Sequence, residues 1–171
     1  MHEQFKKDAR DWLEAFICAP IVLAALFFFC WPFQVQGVSM MDTLRSNDRI
    51  VVSRFTVLTG SLSRGDMVVC TITDGDNTAR VVKRLVGLPS DHVVITNGRL
   101  YINGNLLDEP YLNYTVTYGN TNLILDDDEY FVLGDNRMLS FDSRLAGPVQ
   151  RGDIIGRVFA RWYPFWDFEL Y

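Results

Sequence analysis

Residues Asp91–Gly104 read "DHVVITNGRLYING". Val-, Ile- and Tyr-rich runs flank Asn97–Gly98, and Asn-Gly tolerates positive φ at both central positions of a two-residue turn, so the stretch is a β-hairpin. Runs of similar composition lie on both sides: "RIVVSRF" (Arg49–Phe55), "DMVVCTIT" (Asp66–Thr73), "ARVVKRLVGL" (Ala79–Leu88), "EYFVLGD" (Glu129–Asp135) and "DIIGRVFARWY" (Asp153–Tyr163). Each has strand length, and Gly, Asn, Asp or Pro separates them. The expected fold is mostly β, an antiparallel sheet domain. Asn105–Asp128 reads as a longer excursion ending in the acidic triplet Asp126, Asp127 and Asp128, a solvated loop. It lacks the interleaved Gly and distal Glu of a calcium loop.

Upstream the pattern changes. Ala15–Phe33, "AFICAPIVLAALFFFCWPF", is 19 residues without charge or amide, enough at ~1.5 Å per residue to cross a ~30 Å hydrocarbon core. A cleaved signal peptide has a shorter apolar stretch of ~7 to 15 residues with small residues at its end, whereas this one ends in Trp31, Pro32 and Phe33 and follows a flank carrying Asp8 and Asp11. The expectation is a retained transmembrane helix over 15–33, preceded by a short tail, 1–14, and followed by one β-rich domain, 34–171. Lys6, Lys7 and Arg10 before the span, against Arg45 and Arg49 after it, lean only slightly toward an inside N-terminus.

With 16 Lys+Arg against 21 Asp+Glu the net charge is −5, and no basic block exists to neutralise phosphates, so nucleic acid is excluded as a partner. Cys18 and Cys30 fall in the apolar run and Cys70 in a strand, which leaves no soluble pair for a disulfide. His2 and His92 are too isolated to form a metal site with Cys70, so no metal is expected.

Just beyond the apolar run stands "GVSMMDTLRSNDRIVV" (Gly37–Val52) with Ser39 near its head. A serine hydroxyl needs a base, and no histidine offers a triad. A lysine desolvated enough to be neutral would serve. Lys83 lies in "RVVKRLVGLPSD", and by alternation it shares an inward face with Val81 and Leu85, while Arg80, Val82 and Arg84 take the other. Burying a lysine there is costly without a purpose, but the local sequence alone equally fits a lysine that snorkels to the surface. Read locally, "GDNR" at Gly134–Arg137 is a β-turn, Asp142 and Arg144 form a surface salt bridge worth under ~1 kcal/mol, and Met40 is core.

Four blocks together resemble the type I signal peptidases, the membrane-anchored Ser-Lys proteases of peptidase family S26. They are "GVSMMDTLRSNDRIVV", "SRGDMVV" (Ser63–Val69), "KRLVGLPSD" (Lys83–Asp91) and "GDNRMLSFDSRLAGPVQRGDIIGRV" (Gly134–Val158), in the family's order. The resemblance implies the signal-peptidase β fold and a serine endopeptidase that removes signal peptides from exported precursors, with no cofactor. By the same resemblance Ser39 is the nucleophile, Lys83 the general base, and Met40 lines the substrate surface. Ser140 would orient the lysine, and Asp142 and Arg144 would form a buried supporting pair. Gly37 stands where some relatives place a hydroxyl that helps bind the oxyanion, so Ser39's own N–H would carry that role. Small side chains are expected at the first and third positions before the cut. The family's topology places the tail in the cytoplasm and the catalytic domain outside the cell membrane. The apolar tail "RWYPFWDFELY" (Arg161–Tyr171) fits either the lipid interface or a final strand packed on the core.

Three positions depart from the pattern. Asp42 replaces the usual proline, and its carboxylate near the dyad would favour a charged lysine; Ser46-Asn47-Asp48 and Ser90 lack expected glycines. These departures keep open a membrane-anchored assembly factor that holds an exported peptide without cutting it. A self-cleaving repressor-type regulator would need a cytosolic DNA-binding module, and residues 1–33 supply an apolar run instead.

Overall fold

In the computed structural model the described residues are 12, 14–22, 30–41, 43–75, 77–113 and 116–171. They build two sheets whose pairings are all antiparallel. The larger holds β1 (Cys30–Gln34), β2 (Arg49–Ser53), β3 (Met67–Asp74), β4 (Asn77–Gly87), β9 (Glu129–Leu133), β10 (Val149–Gln150), β11 (Ile154–Tyr163) and β12 (Glu169–Leu170). Its order is β1-β2-β11-β3-β4-β9-β10, with β12 on β11. The smaller is ordered β7 (Asn105–Leu106), β6 (Arg99–Ile102), β5 (His92–Thr96), β8 (Thr121–Ile124).

The hairpin forms where the Asn-Gly pair puts it. β5 and β6 pair from Val93↔Ile102 to Thr96↔Arg99, and Asn97 and Gly98 take φ of 49° and 75°. The other strand-like runs become β2, β3, β4, β9 and β11. The excursion Asn105–Asp128 contributes β7 and β8 and ends in the exposed Asp126–Asp128 turn.

β4 lies inside the larger sheet, and both of its faces are covered. Val82 packs with Val35, Met40, Leu44 and Val69 on one side, while Leu85 packs with Val68, Cys70 and Val132 on the other. The expected alternation is present, but the face assigned to Arg80, Val82 and Arg84 is not a solvent face at its far end: Arg84 is buried. A third cluster, with Val86, Val93, Ile95, Phe131 and Leu133, joins the two sheets.

The apolar run 15–33 ends differently from the expected helix. Residues 14–22 are helical, 23–29 lie outside the described residues, and Cys30–Phe33 belong to β1, paired with β2 from Cys30↔Ser53 to Gln34↔Arg49. An uncharged apolar run does not by itself separate helix from strand, and Trp31 and Phe33 are strand-favouring aromatics. Pro32 is tolerated because β1 is an edge strand. Among the described residues no helix is long and apolar enough to cross a membrane.

Candidate active site

Beyond β1 the chain turns through Gly37, whose φ of +85° suits glycine, into a tight loop: Met41 N–H donates to Val38 C=O, and Leu44 N–H to Met40 C=O. Asp48 closes the loop from below, its side chain accepting from Arg45 N–H at 2.9 Å and its C=O from Val35 N–H at 2.9 Å. Arg161 of β11 donates to Thr43 C=O at 3.0 Å and lies 3.5 Å from the Asp48 carboxylate. Met40 is buried among Val35, Leu44 and Val82, so it anchors the loop in the core while still lining a cleft beside Ser39. Ser39 is thus half-buried at the tip of a loop held from both sides.

Lys83 reaches this serine from β4. Its Nζ lies 2.6 Å from Ser39 Oγ, and the residue is only 2 % exposed. Burial pushes the Lys83 ammonium below its ordinary value of 10.5; Asp142 pulls the other way and Arg144 offsets it. Asp142 is itself fully buried and clamped by Arg144, with Nε to Oδ1 and Nη2 to Oδ2 both at 2.8 Å. Burial raises the Asp142 carboxyl, but Arg144, together with Ser140 and the Gly134 N–H, outweighs it and holds the group below its usual range. The surface salt bridge of the local reading is therefore a buried bidentate pair.

Ser140 is brought next to the dyad without the expected bond to the lysine. Its Oγ is buried and close enough to Asp142 to affect that carboxyl, yet among the described residues it meets no partner within hydrogen-bond geometry. Gly134 explains the crowding. A Cβ there would lie 2.2 Å from Ser140 Oγ and 2.5 Å from the Ser39 carbonyl oxygen, so only glycine lets the Gly134–Arg137 turn approach the nucleophile loop. Asn136 then grips that loop, its N–H donating to Ser39 C=O at 3.0 Å and its Nδ2 to Val38 C=O at 3.1 Å.

Two ion pairs that local sequence reading missed brace the turn. Arg84 binds Asp135 through Nε at 2.9 Å and Nη2 at 2.6 Å, and Thr43 Oγ1 donates to the same carboxylate at 2.6 Å. Arg137 donates through Nε to Gly134 C=O at 3.1 Å and pairs bidentately with Glu109. Both arginines are buried. Signals of these pairs in the sequence are confined to the quoted "KR" and "GDNR" blocks; nothing local marks Glu109. Of the departing positions, Asn47 and Ser90 take positive φ, 76° and 65°, as their replacement of glycine anticipates, and Asp42 lies outside the described residues.

Two clefts flank the dyad. One of about 350 Å³ is walled by Phe33, Val35, Met40, Val81 and Val82 and opens onto Ser39. The other, of about 480 Å³, lies between Met41, the Asp135–Met138 turn and the residues Tyr111, Leu112, Asn113, Val116 and Tyr118.

The chain matches the family described as signal peptidase, peptidase S26, over residues 9–163. It is 33 % identical over 183 aligned residues to signal peptidase IB of Staphylococcus aureus, covering 96 % of this chain and 94 % of that protein. It is 39 % identical over 161 residues to signal peptidase I U of Bacillus subtilis, covering 85 % and 84 % respectively. A crystal structure of a signal peptidase I from Enterococcus faecalis is 33 % identical, with a TM-score of 0.48 over 56 % of this chain and 95 % of that one. The chain belongs to the signal peptidases of peptidase family S26.

Proposed function

We propose that Ser39 and Lys83 carry the signal-peptide-removing endopeptidase activity of this family in this chain. The observation that supports it is the 2.6 Å approach of a buried, desolvated amine to a half-exposed loop hydroxyl. Neutral Lys83 takes the Ser39 proton as Oγ attacks the scissile carbonyl. The resulting ammonium protonates the leaving amine as the C–N bond breaks, and the same amine then activates the water that hydrolyses the acyl-enzyme. Ser39 N–H is the proposed oxyanion donor. Gly37 contributes no side-chain donor, and its positive φ argues against a hydroxyl residue there.

Small residues at the first and third positions before the cut fit the cleft beside Ser39, where Phe33, Val35, Met40, Val81 and Val82 form apolar wall and Gln34, Gln36 and Arg80 polar wall. The precursor class is exported proteins bearing signal peptides.

The chain is placed in the cell membrane as a single-pass protein, with its N-terminus in the cytoplasm and the β domain outside. Residues 15–29 supply the apolar stretch. In support, β1 begins directly after it, and exposed Tyr163, Phe165, Trp166 and Phe168 cluster at the end of β11, aromatics suited to the lipid interface.

Detergent-solubilised full-length protein is incubated with a precursor peptide carrying an Ala-x-Ala site. Cleavage lost in both Ser39→Ala and Lys83→Ala is expected. Cleavage that persists in Lys83→Ala refutes the dyad, and peptide binding without wild-type cleavage establishes the assembly factor instead. Protection of a C-terminal tag from protease added outside intact cells would refute the topology.

A further inference from the structure

The larger cleft takes no part in the dyad chemistry, yet it borders the nucleophile. Among the described residues the two clefts share no lining residue, and the loop itself divides them: Met40 lines the smaller, Met41 the larger. Asn136 is on the wall of the larger cleft and binds the Val38 and Ser39 carbonyls, so that wall is one hydrogen bond from the nucleophile's backbone.

If the residues before the cut occupy the smaller cleft, the chain after the cut has to cross the loop toward the opposite side. An extended peptide advances ~3.3 Å per residue, so two residues carry it roughly 7 Å past the scissile carbonyl.

The cleft's far wall is held rather than loose. The Arg84 guanidinium carbon sits 3.9 Å from the Tyr111 ring centroid, and Tyr111 OH donates to Glu109 at 2.6 Å. Glu109 pairs with Arg137, Arg137 also donates to Thr117 Oγ1, and Thr117 N–H donates to Gly98 C=O at 2.9 Å. Among the described residues the charged ones on the lining, Asp135 and Arg137, are already paired with Arg84 and Glu109.

Among the described residues the rest of the lining is mostly apolar, with Asn113 and Asn136 beside it. Met41, Val116, Tyr118 and Met138 are 44 %, 44 %, 55 % and 68 % exposed around the rim. Clustered exposed apolar side chains of this size mark a binding surface, and methionines adapt to differing shapes. The same geometry gives the long excursion after β7 a role that its sequence does not reveal.

We propose that this cleft is the leaving-side subsite of the peptidase, receiving an uncharged apolar or aromatic side chain from the first two residues after the scissile bond. The proposal rests on the dyad reading above and names a further determinant of its specificity.

The test uses full-length protein in detergent and a peptide series with one Ala-x-Ala site, varied after the cut among Leu, Phe, Ala, Asp and Lys. Wild-type kcat/KM is expected to favour Leu or Phe over Asp by at least tenfold at one of the two positions. Val116→Arg, at an exposed site, is expected to reduce that ratio at least fivefold by improving the Asp peptides. In parallel, uncleaved peptides carrying a benzophenone side chain after the cut are irradiated with Ser39→Ala protein. Mass spectrometry is expected to find crosslinks at Met41 or Met138.

Cleavage that is indifferent to both positions, with crosslinks outside the cleft, overturns the subsite and leaves the dyad standing. Absence of wild-type cleavage overturns the dyad, and the crosslink positions then decide the subsite separately: labels outside the cleft overturn it, and labels at the two methionines support it.

Discussion

Lys83→Met separates the stability of this fold from its chemistry. Methionine keeps the linear stem that fills the space beside Ser39, so the buried methylene contacts survive. What is removed is an amine on a residue 2 % exposed, whose side-chain partner is a hydroxyl at 2.6 Å. A buried, under-satisfied polar group costs about 1–3 kcal/mol, and the lost hydrogen bond gives back about 1. The variant is therefore expected to be inactive and, at the alkaline end where the amine is neutral in both states, more stable by about 0–2 kcal/mol, up to roughly 6 °C in Tm for a domain of this size. The pH dependence carries the sign. Because the folded-state pKa lies below the unfolded value of 10.5, the unfolded chain binds the proton more tightly. Wild-type stability is lowest below the folded pKa and rises toward 10.5, by up to ~1.4 kcal/mol per pH unit, a dependence the methionine lacks. The variant's advantage should thus be greatest at low pH and shrink through the alkaline range. Thermal unfolding followed by tryptophan fluorescence from pH 6 to 10 measures it. A variant less stable at pH 7, or an advantage that does not shrink with pH, refutes the claim that this amine is desolvated and neutral when folded.

Arg144→Met leaves Asp142 as an unpaired buried carboxylate: about 3 kcal/mol of stability should be lost, and the rising limb of kcat/KM against pH should move to higher pH as Asp142 comes to stabilise the Lys83 ammonium. An unchanged pH profile in the folded variant would contradict that coupling. Gly134→Ala puts a methyl 2.5 Å from the Ser39 carbonyl oxygen, and a displacement of about 1 Å at a nucleophile lowers kcat about 100-fold, read directly by peptide cleavage. Ser90→Gly relieves a φ of +65° at the loss of an exposed hydrogen bond to Asp127, so denaturant titration should show a gain of about 0.5–1 kcal/mol.

The strands of the core were legible because composition and turn residues agree locally: Asn97–Gly98 sits at the hairpin turn as the pair itself requires. Ser39 and Lys83 were legible only through four blocks in register, since 44 residues separate them and neither carries a local mark. Arg84 was misplaced because alternation reveals which residues share a face, not whether solvent covers it, and β4 has neighbours on both sides. Cys30–Phe33 was read as helix because an uncharged run has no period to break the tie with a strand; the backbone partner that decides it is β2, some twenty residues downstream. Glu109 was invisible for the same reason in stronger form, its partner Arg137 being 28 residues away with nothing between them to suggest contact.

Among the described residues, three buried ion pairs near the dyad share one geometry. Asp142, Asp135 and Glu109 are each held bidentately by an arginine, Arg144, Arg84 and Arg137. A buried carboxylate left free beside Lys83 would stabilise its ammonium and defeat a base, and Asp142 and Asp135 do act in that direction. Pairing each with a permanently charged guanidinium lets the carboxylates order the turn through hydrogen bonds, and Arg144 offsets part of the pull of Asp142 on the amine. Burial then decides the protonation of Lys83. A site with the same serine and lysine but lysines in place of these arginines would lose the forked geometry, and the general base should weaken even though the dyad distance stayed the same.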